Sequence, residues 1–125
     1  MPIVGIGTDI IEISRIINMK EVTRDRLAKR VLTAVEYQFY CDTNHPERYL
    51  AKRWAGKEAV AKALGTGIAD GVSFQHIVIK SLASGQPILE LSDRALEVAQ
   101  LLKASHWHIS LADEKLYATA FVTLS

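Results

Sequence analysis

A small single α+β domain, in which an antiparallel sheet packs against one long helix, is predicted for this chain. Three observations predict it. Apolar, β-branched runs at both ends read as strands, and residues 46–64 read as a long helix. The order β-α-α-α-β-β-α-β-β mixes hairpins with helices instead of alternating strand and helix. The third is continuity: no repeat, low-complexity segment or interdomain linker divides residues 1–125, a length typical of one domain.

Each element has its own warrant. Ile3 to Ile13 is rich in β-branched residues and reads as a buried strand. Two glycines inside it mark a bulge or a close backbone approach. Ser14, Thr23 and Thr33 stand as N-caps of helices over 15–21, 24–31 and 34–41, because their oxygens can accept from the first free backbone N–H groups. Asp42-Thr43-Asn44-His45-Pro46 reads as a loop, and Pro46 suits the first turn of the helix that stops before Gly65-Thr66-Gly67. Residues 72–81 hold the strand core Ile77-Val78-Ile79. Ser84-Gly85-Gln86-Pro87 is a turn, and Ile88-Leu89-Glu90-Leu91 a strand. Ser92 caps a helix over 93–104 with Leu96, Ala99, Leu101 and Leu102 on its apolar side. Trp107 to Ala112 and Leu116 to Leu124 form a hairpin in which Trp107 and Tyr117 pack.

Composition bounds the partners. Hydrophobic residues make up 49% and charged residues 23%, as in globular chains. Cys41 is the only cysteine, which excludes an internal disulfide and fits a reducing compartment, the cytoplasm. No apolar run approaches the ~20 residues of a membrane span. Met1-Pro2-Ile3-Val4 lacks the basic-then-apolar pattern of a secretory leader. The net charge of +1 hides an asymmetry: residues 1–62 carry 11 Lys/Arg against 8 Asp/Glu, and residues 63–125 carry 4 against 6. The basic groups concentrate in 15–30 and 48–62. Such local fields attract anions, although solvated helix faces look the same. Sparse aromatics there and a total charge near zero count against nucleic acid.

The chemistry-bearing residues sit in the first half. At 100° per residue, Leu50, Trp54, Ala61 and Leu64 share one side of the long helix. Trp54, Glu58 and Lys62 form a line along that stripe's edge. Glu58 and Lys62 also read as an ordinary helical ion pair, worth about 0.3–0.5 kcal/mol. Lys57 falls inside the stripe, where a lysine must snorkel, lose its proton or meet an anion. Gly56 costs about 1 kcal/mol relative to Ala in mid-helix, so either a neighbour packs closely there or the position is tolerated. Gly65-Thr66-Gly67 follows a helix C-terminus, whose dipole disfavours phosphate, so it is no P-loop. Asp9, among isoleucines, needs a partner: an Arg, a backbone turn or a metal. Ile10 stands where a dinucleotide fingerprint needs its third glycine. Two carboxylates on separate elements with lysines nearby suit Mg²⁺ and a phosphate, but spacing alone does not bring Asp9 to Glu58. His106 and His108 have no carboxylate or Cys at metal spacing, which argues against zinc. Cys41 reads as a buried or incidental thiol.

Gly5-Ile6-Gly7-Thr8-Asp9-Ile10-Ile11-Glu12-Ile13-Ser14-Arg15-Ile16 resembles the opening signature of the holo-acyl-carrier-protein synthase family. Leu50-Ala51-Lys52-Arg53-Trp54-Ala55-Gly56-Lys57-Glu58-Ala59-Val60-Ala61-Lys62-Ala63-Leu64-Gly65-Thr66-Gly67 resembles its second signature. The resemblance continues through Ser84-Gly85-Gln86-Pro87 and His108-Ile109-Ser110-Leu111, so it spans nearly the whole chain. Two positions depart from the pattern: Trp54 where Phe is usual, and Gly56 where Ala is usual.

The resemblance implies the 4′-phosphopantetheinyl transferase fold. It also implies Mg²⁺-dependent transfer of phosphopantetheine from coenzyme A to a serine of apo-acyl carrier protein. Adenosine 3′,5′-bisphosphate is released, and fatty acid biosynthesis is served. It further implies a homotrimer with active sites between subunits. Asp9 and Glu58 match the family's metal ligands, and Glu58 and Lys62 its catalytic groups. Lys62 would contact phosphates and accept or relay the serine proton, with Glu58 or a water as the competing base. Arg53 and His108 match contacts to nucleotide phosphates; Gly65, Thr66, Gly67 and Pro87 match contacts to coenzyme A. Ser110 shares the strand face of His108, and Lys57 joins the cofactor contacts as a cation on an apolar stripe. An acidic carrier protein would dock on Arg15, Arg24 and Arg26, with Met19 in an apolar gap. The alternative is a non-catalytic module that binds an acidic protein through the same basic helices, with no need for Mg²⁺.

Overall fold

The computed structural model describes residues 2–125; Met1, part of the leader reading above, lies outside the described residues. Strand β1 (Gly5–Glu12) is followed by helices α1 (Ile13–Ile17), α2 (Glu21–Val31), α3 (Ala34–Asp42) and α4 (Pro46–Leu64). A 3₁₀ turn, Phe74–His76, leads into the hairpin β2 (Ile77–Ser81) and β3 (Pro87–Leu91). Helix α5 (Asp93–Leu101) and the hairpin β4 (Trp107–Asp113) and β5 (Tyr117–Leu124) complete the chain. β5 is the centre of a three-stranded antiparallel sheet, β1-β5-β4, while β2 and β3 pair with each other. The expected α+β class with an antiparallel sheet against a long helix is therefore observed, α4 lying across β1 and β5.

The glycines of β1 mark a close approach, not a bulge. The pairing of β1 with β5 runs without a break from Gly5 opposite Leu124 to Glu12 opposite Tyr117. Gly7 and Ile11 are buried, whereas Ile6, Thr8 and Ile10 are exposed, as strand alternation requires. A Cβ on Gly7 would lie 1.9 Å from the Ala59 carbonyl oxygen, and one on Gly5 2.3 Å from that of Ala63. Backbone thus lies on backbone where β1 meets α4. Asp9, with the same parity as Gly7 and Ile11, is carried on the face that meets the helix.

From Arg53 to Leu64, α4 is buried at every position except Trp54, Glu58 and Lys62. The line read from helical spacing is therefore the open seam of an otherwise enclosed stretch of helix. Gly56 is a packing position: a Cβ there would meet Ile79 Cδ1 at 2.5 Å. That neighbour is the end of a flexible side chain. Gly56→Ala is accordingly expected to change stability by less than about 1 kcal/mol, helix propensity offsetting the crowding. The urea midpoint of the variant checks this.

Several local readings are corrected. Ser14 lies inside α1, not at its cap, and donates to Glu12 Oε1; burial of Ile13 and Ile16 fixes where that helix begins. Thr23 lies inside α2, which starts after Lys20. Thr33 does cap α3, through a capping box with Glu36. α5 stops at Leu101, and Lys103 adopts a left-handed φ of +64°. Its buried side is Ala95, Val98 and Ala99, whereas Leu101 is exposed. The Cys41 thiol and Tyr117 are exposed, while Trp107 packs against the core.

Candidate active site

The site begins where the Asp9 face of β1 meets the open seam of α4. Lys62 Nζ donates to Asp9 Oδ1 at 2.8 Å and to the Thr8 carbonyl at 3.0 Å. Lys62 therefore bridges to the strand, in place of the helical pair with Glu58. The Glu58 carboxyl is raised above the usual carboxylate range, first by burial and then by the negative charge of Asp9. Lys62 and the Trp54 indole oppose that rise. Tertiary structure thus brings both carboxylates and Lys62 into electrostatic contact. Among the described residues no three His, Cys, Asp or Glu side chains cluster as a metal cage. Two carboxylates without a third ligand fit a hard cation that keeps water and takes phosphate oxygens, as Mg²⁺ does. The Lys62 ammonium on Asp9 shows that this corner favours positive charge.

The other expected residues distribute over separate hollows. One, of about 430 Å³, is bordered by Asp9, Lys62, Ser110, Thr119 and Phe121. A second, of about 360 Å³, is lined by Gln86, Pro87, His106 and His108. His108 and Ser110 point to the same exposed face of β4. Gly65 and Gly67 adopt φ of +82° and +63°, with open space around both. Gly67 N–H donates back to Ala61 O at 3.1 Å and Thr66 Oγ1 donates to Gly67 O at 2.7 Å, so the stop after α4 is ordered and accessible.

Arg53 belongs to a third hollow, of about 280 Å³, with Phe39, His45, Arg48, Lys52 and Ser81. Its guanidinium lies over the Tyr49 ring at 4.7 Å and Nη2 donates to Ser81 Oγ at 3.3 Å. Its Nε is buried without a hydrogen-bond partner. Sequence reasoning named only Arg53 here; the signal for Arg48 and Lys52 was the charge run 48–62. Both pair with Asp113, at 2.7 and 3.3 Å. Burial raises the Asp113 carboxyl, but its bonds to Arg48 and Lys52 outweigh this and hold it below the ordinary carboxylate value.

Lys57 requires a correction. It is fully buried and its ammonium donates to Glu36 Oε1 at 2.6 Å, Val31 O at 2.7 Å and Phe74 O at 3.2 Å. All three donors are used inside the protein, so none is left for a cofactor. Of the three fates open to it, Lys57 meets an anion. The expected docking residues also differ from one another. Arg15 is exposed and lies 5.6 Å from the Trp54 ring centroid; Arg26 is exposed and Met19 half-buried. Arg24 is turned inward, donating to the Tyr40 hydroxyl at 2.9 Å and to Glu47 at 2.7 Å.

Known proteins place the chain as a whole. A model of the 4′-phosphopantetheinyl transferase superfamily matches residues 5–122. The chain is 56% identical over 124 residues to the holo-[acyl-carrier-protein] synthase of Shewanella frigidimarina, covering 99% of this chain and 98% of that one. It superposes on the Neisseria meningitidis holo-[acyl-carrier-protein] synthase with a TM-score of 0.89 and 39% identity, over 99% of both chains. The corresponding Bacillus anthracis structure, in complex with CoA (3′,5′-ADP), gives a TM-score of 0.79 and 36% identity, over 98% of this chain and 96% of that one. With the family model matching residues 5–122 and a relative 56% identical over 99% of this sequence, the chain belongs to the 4′-phosphopantetheinyl transferase superfamily and is an enzyme of that class.

Proposed function

We propose that this enzyme transfers 4′-phosphopantetheine from coenzyme A to a serine of an apo-acyl carrier protein, with Mg²⁺ bound by Asp9 and Glu58. The observation that carries the reading is the convergence of Asp9, Glu58 and Lys62 at the open seam in the C-terminal half of α4. Mg²⁺ would supply charge neutralisation on the coenzyme A pyrophosphate. Lys62, an ammonium on the same corner, holds the phosphate oxygens. Glu58 and Lys62, both at this corner, are the groups placed to take the serine proton. Adenosine 3′,5′-bisphosphate is the leaving group. Arg53 and its basic neighbours, with one guanidinium nitrogen unpartnered, fit the nucleotide's phosphates; His108, Ser110, Pro87 and the Gly65–Gly67 stop fit the rest of coenzyme A.

These groups lie in separate hollows of a single chain, and the exposed outer face of the three-stranded sheet carries Ile6, Ile10 and Phe121. A homotrimer with sites shared between subunits would cover that face and complete the site. The cytoplasm, where a lone thiol stays reduced, is the proposed location; among the described residues no helix is long and apolar enough to cross a membrane. Incubation with coenzyme A, apo carrier protein and Mg²⁺ should add the phosphopantetheine mass to the carrier, and EDTA should prevent it. A carrier that binds and stays unmodified would support the non-catalytic docking module instead.

Carrier docking is assigned to exposed Arg15 and Arg26 with Met19, and Arg24 shapes that surface through its bonds to Tyr40 and Glu47. Arg15→Glu is expected to raise the carrier KM roughly tenfold at low salt, with kcat unchanged and the difference shrinking as salt is added. An unaltered carrier KM would remove Arg15 from the interface.

A further inference from the structure

The buried Lys57–Glu36 pair has no place in the proposed chemistry, yet it joins five parts of the fold. Glu36 Oε1 accepts from Lys57 at 2.6 Å and from the backbone of Thr33 at 2.8 Å. Its Oε2 accepts from the backbone of Ile79 at 2.9 Å. Lys57 adds the carbonyls of Val31, at the end of α2, and Phe74, in the 3₁₀ turn. The two side chains are 0% and 4% exposed, and every hydrogen bond of the cluster is directional.

Two consequences bear on the site. Lys57 immediately precedes Glu58, so fixing its direction fixes the rotation of α4 that carries Glu58 within electrostatic reach of Asp9. Ile79 lies two residues before Ser81 on the same face of β2, and Ser81 Oγ receives the Arg53 guanidinium. At the same crossing, Gly56 lets Ile79 press against α4. Apolar packing of helix on strand tolerates small rotations, whereas a three-acceptor ammonium does not.

We propose that the Glu36–Lys57 pair is a positioning device that sets the rotation of α4 and the placement of β2, aligning Glu58 for the cation and Arg53 for the nucleotide end of coenzyme A. This rests on the function proposed above. The test uses the full chain at low temperature, with folding verified by circular dichroism, in Glu36→Gln and in the double variant Glu36→Gln, Lys57→Met, which leaves no unpaired buried charge. Mn²⁺ binding is measured by calorimetry and steady-state kinetics are run with each substrate. Both variants are expected to bind Mn²⁺ at least tenfold more weakly and to raise the coenzyme A KM at least fivefold, with the carrier KM within twofold of the parent. If Glu36→Gln fails to fold, the double variant decides. A folded double variant with Mn²⁺ affinity and coenzyme A KM within twofold of the parent would overturn the proposal, leaving the pair a stabilising contact. Failure of the double variant to fold would overturn it too, since α4 packs on β1 and β5 independently of the pair. Absence of Mn²⁺ binding by the parent would instead count against the proposed function itself.

Discussion

Glu58→Gln is expected to lower kcat roughly 10³-fold while leaving the fold intact, because it removes a charged ligand from the cation corner. Asp9→Asn should produce a loss of similar order. Stability should move the other way. The folded-state Glu58 carboxyl is raised above its ordinary value of 4.5 by burial and by Asp9. Its favourable contribution to folding is therefore complete below that pH and is lost as pH rises through the raised value. At pH 8 without metal the ionised group is a burden, and Glu58→Gln should melt at the same temperature as the parent or a few degrees higher, a partly exposed group being worth below about 1 kcal/mol. At pH 4 the two should coincide. Mg²⁺ should raise the parent's Tm at pH 8 and leave that of the variant unchanged. Calorimetric melts at both pH values, with and without Mg²⁺, check this; a variant of normal activity would move the metal elsewhere.

Gly7→Ala is expected to cost about 3 kcal/mol or more, a large share of the total stability of a domain this size. Its Cβ would stand 1.9 Å from the Ala59 carbonyl oxygen and 2.8 Å from Ala63 N. Those atoms are helix backbone, so neither can swing aside as Ile79 can beside Gly56. Relief requires lifting β1 off α4, which would also separate Asp9 from Lys62. The useful contrast is Gly65→Ala: nothing lies within 4 Å, but φ is +82°, so the cost is only the conformational strain of about 1 kcal/mol. Urea denaturation of the two variants should rank Gly7→Ala well below Gly65→Ala, and the reverse ranking would contradict the packing described here.

The residues of the corner stood out one by one for chemical reasons, and the family resemblance joined them. Asp9 among isoleucines is costly unless partnered, and the line Trp54-Glu58-Lys62 follows from helical pitch. Caps were less legible: Thr33 has a glutamate three residues on and does cap its helix, whereas Ser14 and Thr23 lie inside theirs, where apolar anchors outweigh a cap's contribution of about 1 kcal/mol. Lys57 shows the limit of helical spacing. Spacing placed a cation on a buried stripe, and only α3, from elsewhere in the chain, supplied the carboxylate that answers it.

The local pattern of residues was thus sufficient for the order of elements and the antiparallel α+β class, since strand alternation, helical pitch and glycine placement act over a few neighbouring positions; Asp9 and Glu58 were joined as one candidate site only by the family resemblance. Tertiary structure alone decided which groups meet: Lys62 with Asp9 across 53 residues of chain, Lys57 with Glu36, and Arg53 with Ser81. The physical reason is that such pairings depend on how closely backbones approach and how a helix is rotated against its sheet. In this protein those are set by two missing Cβ atoms on β1 and by one buried ion pair.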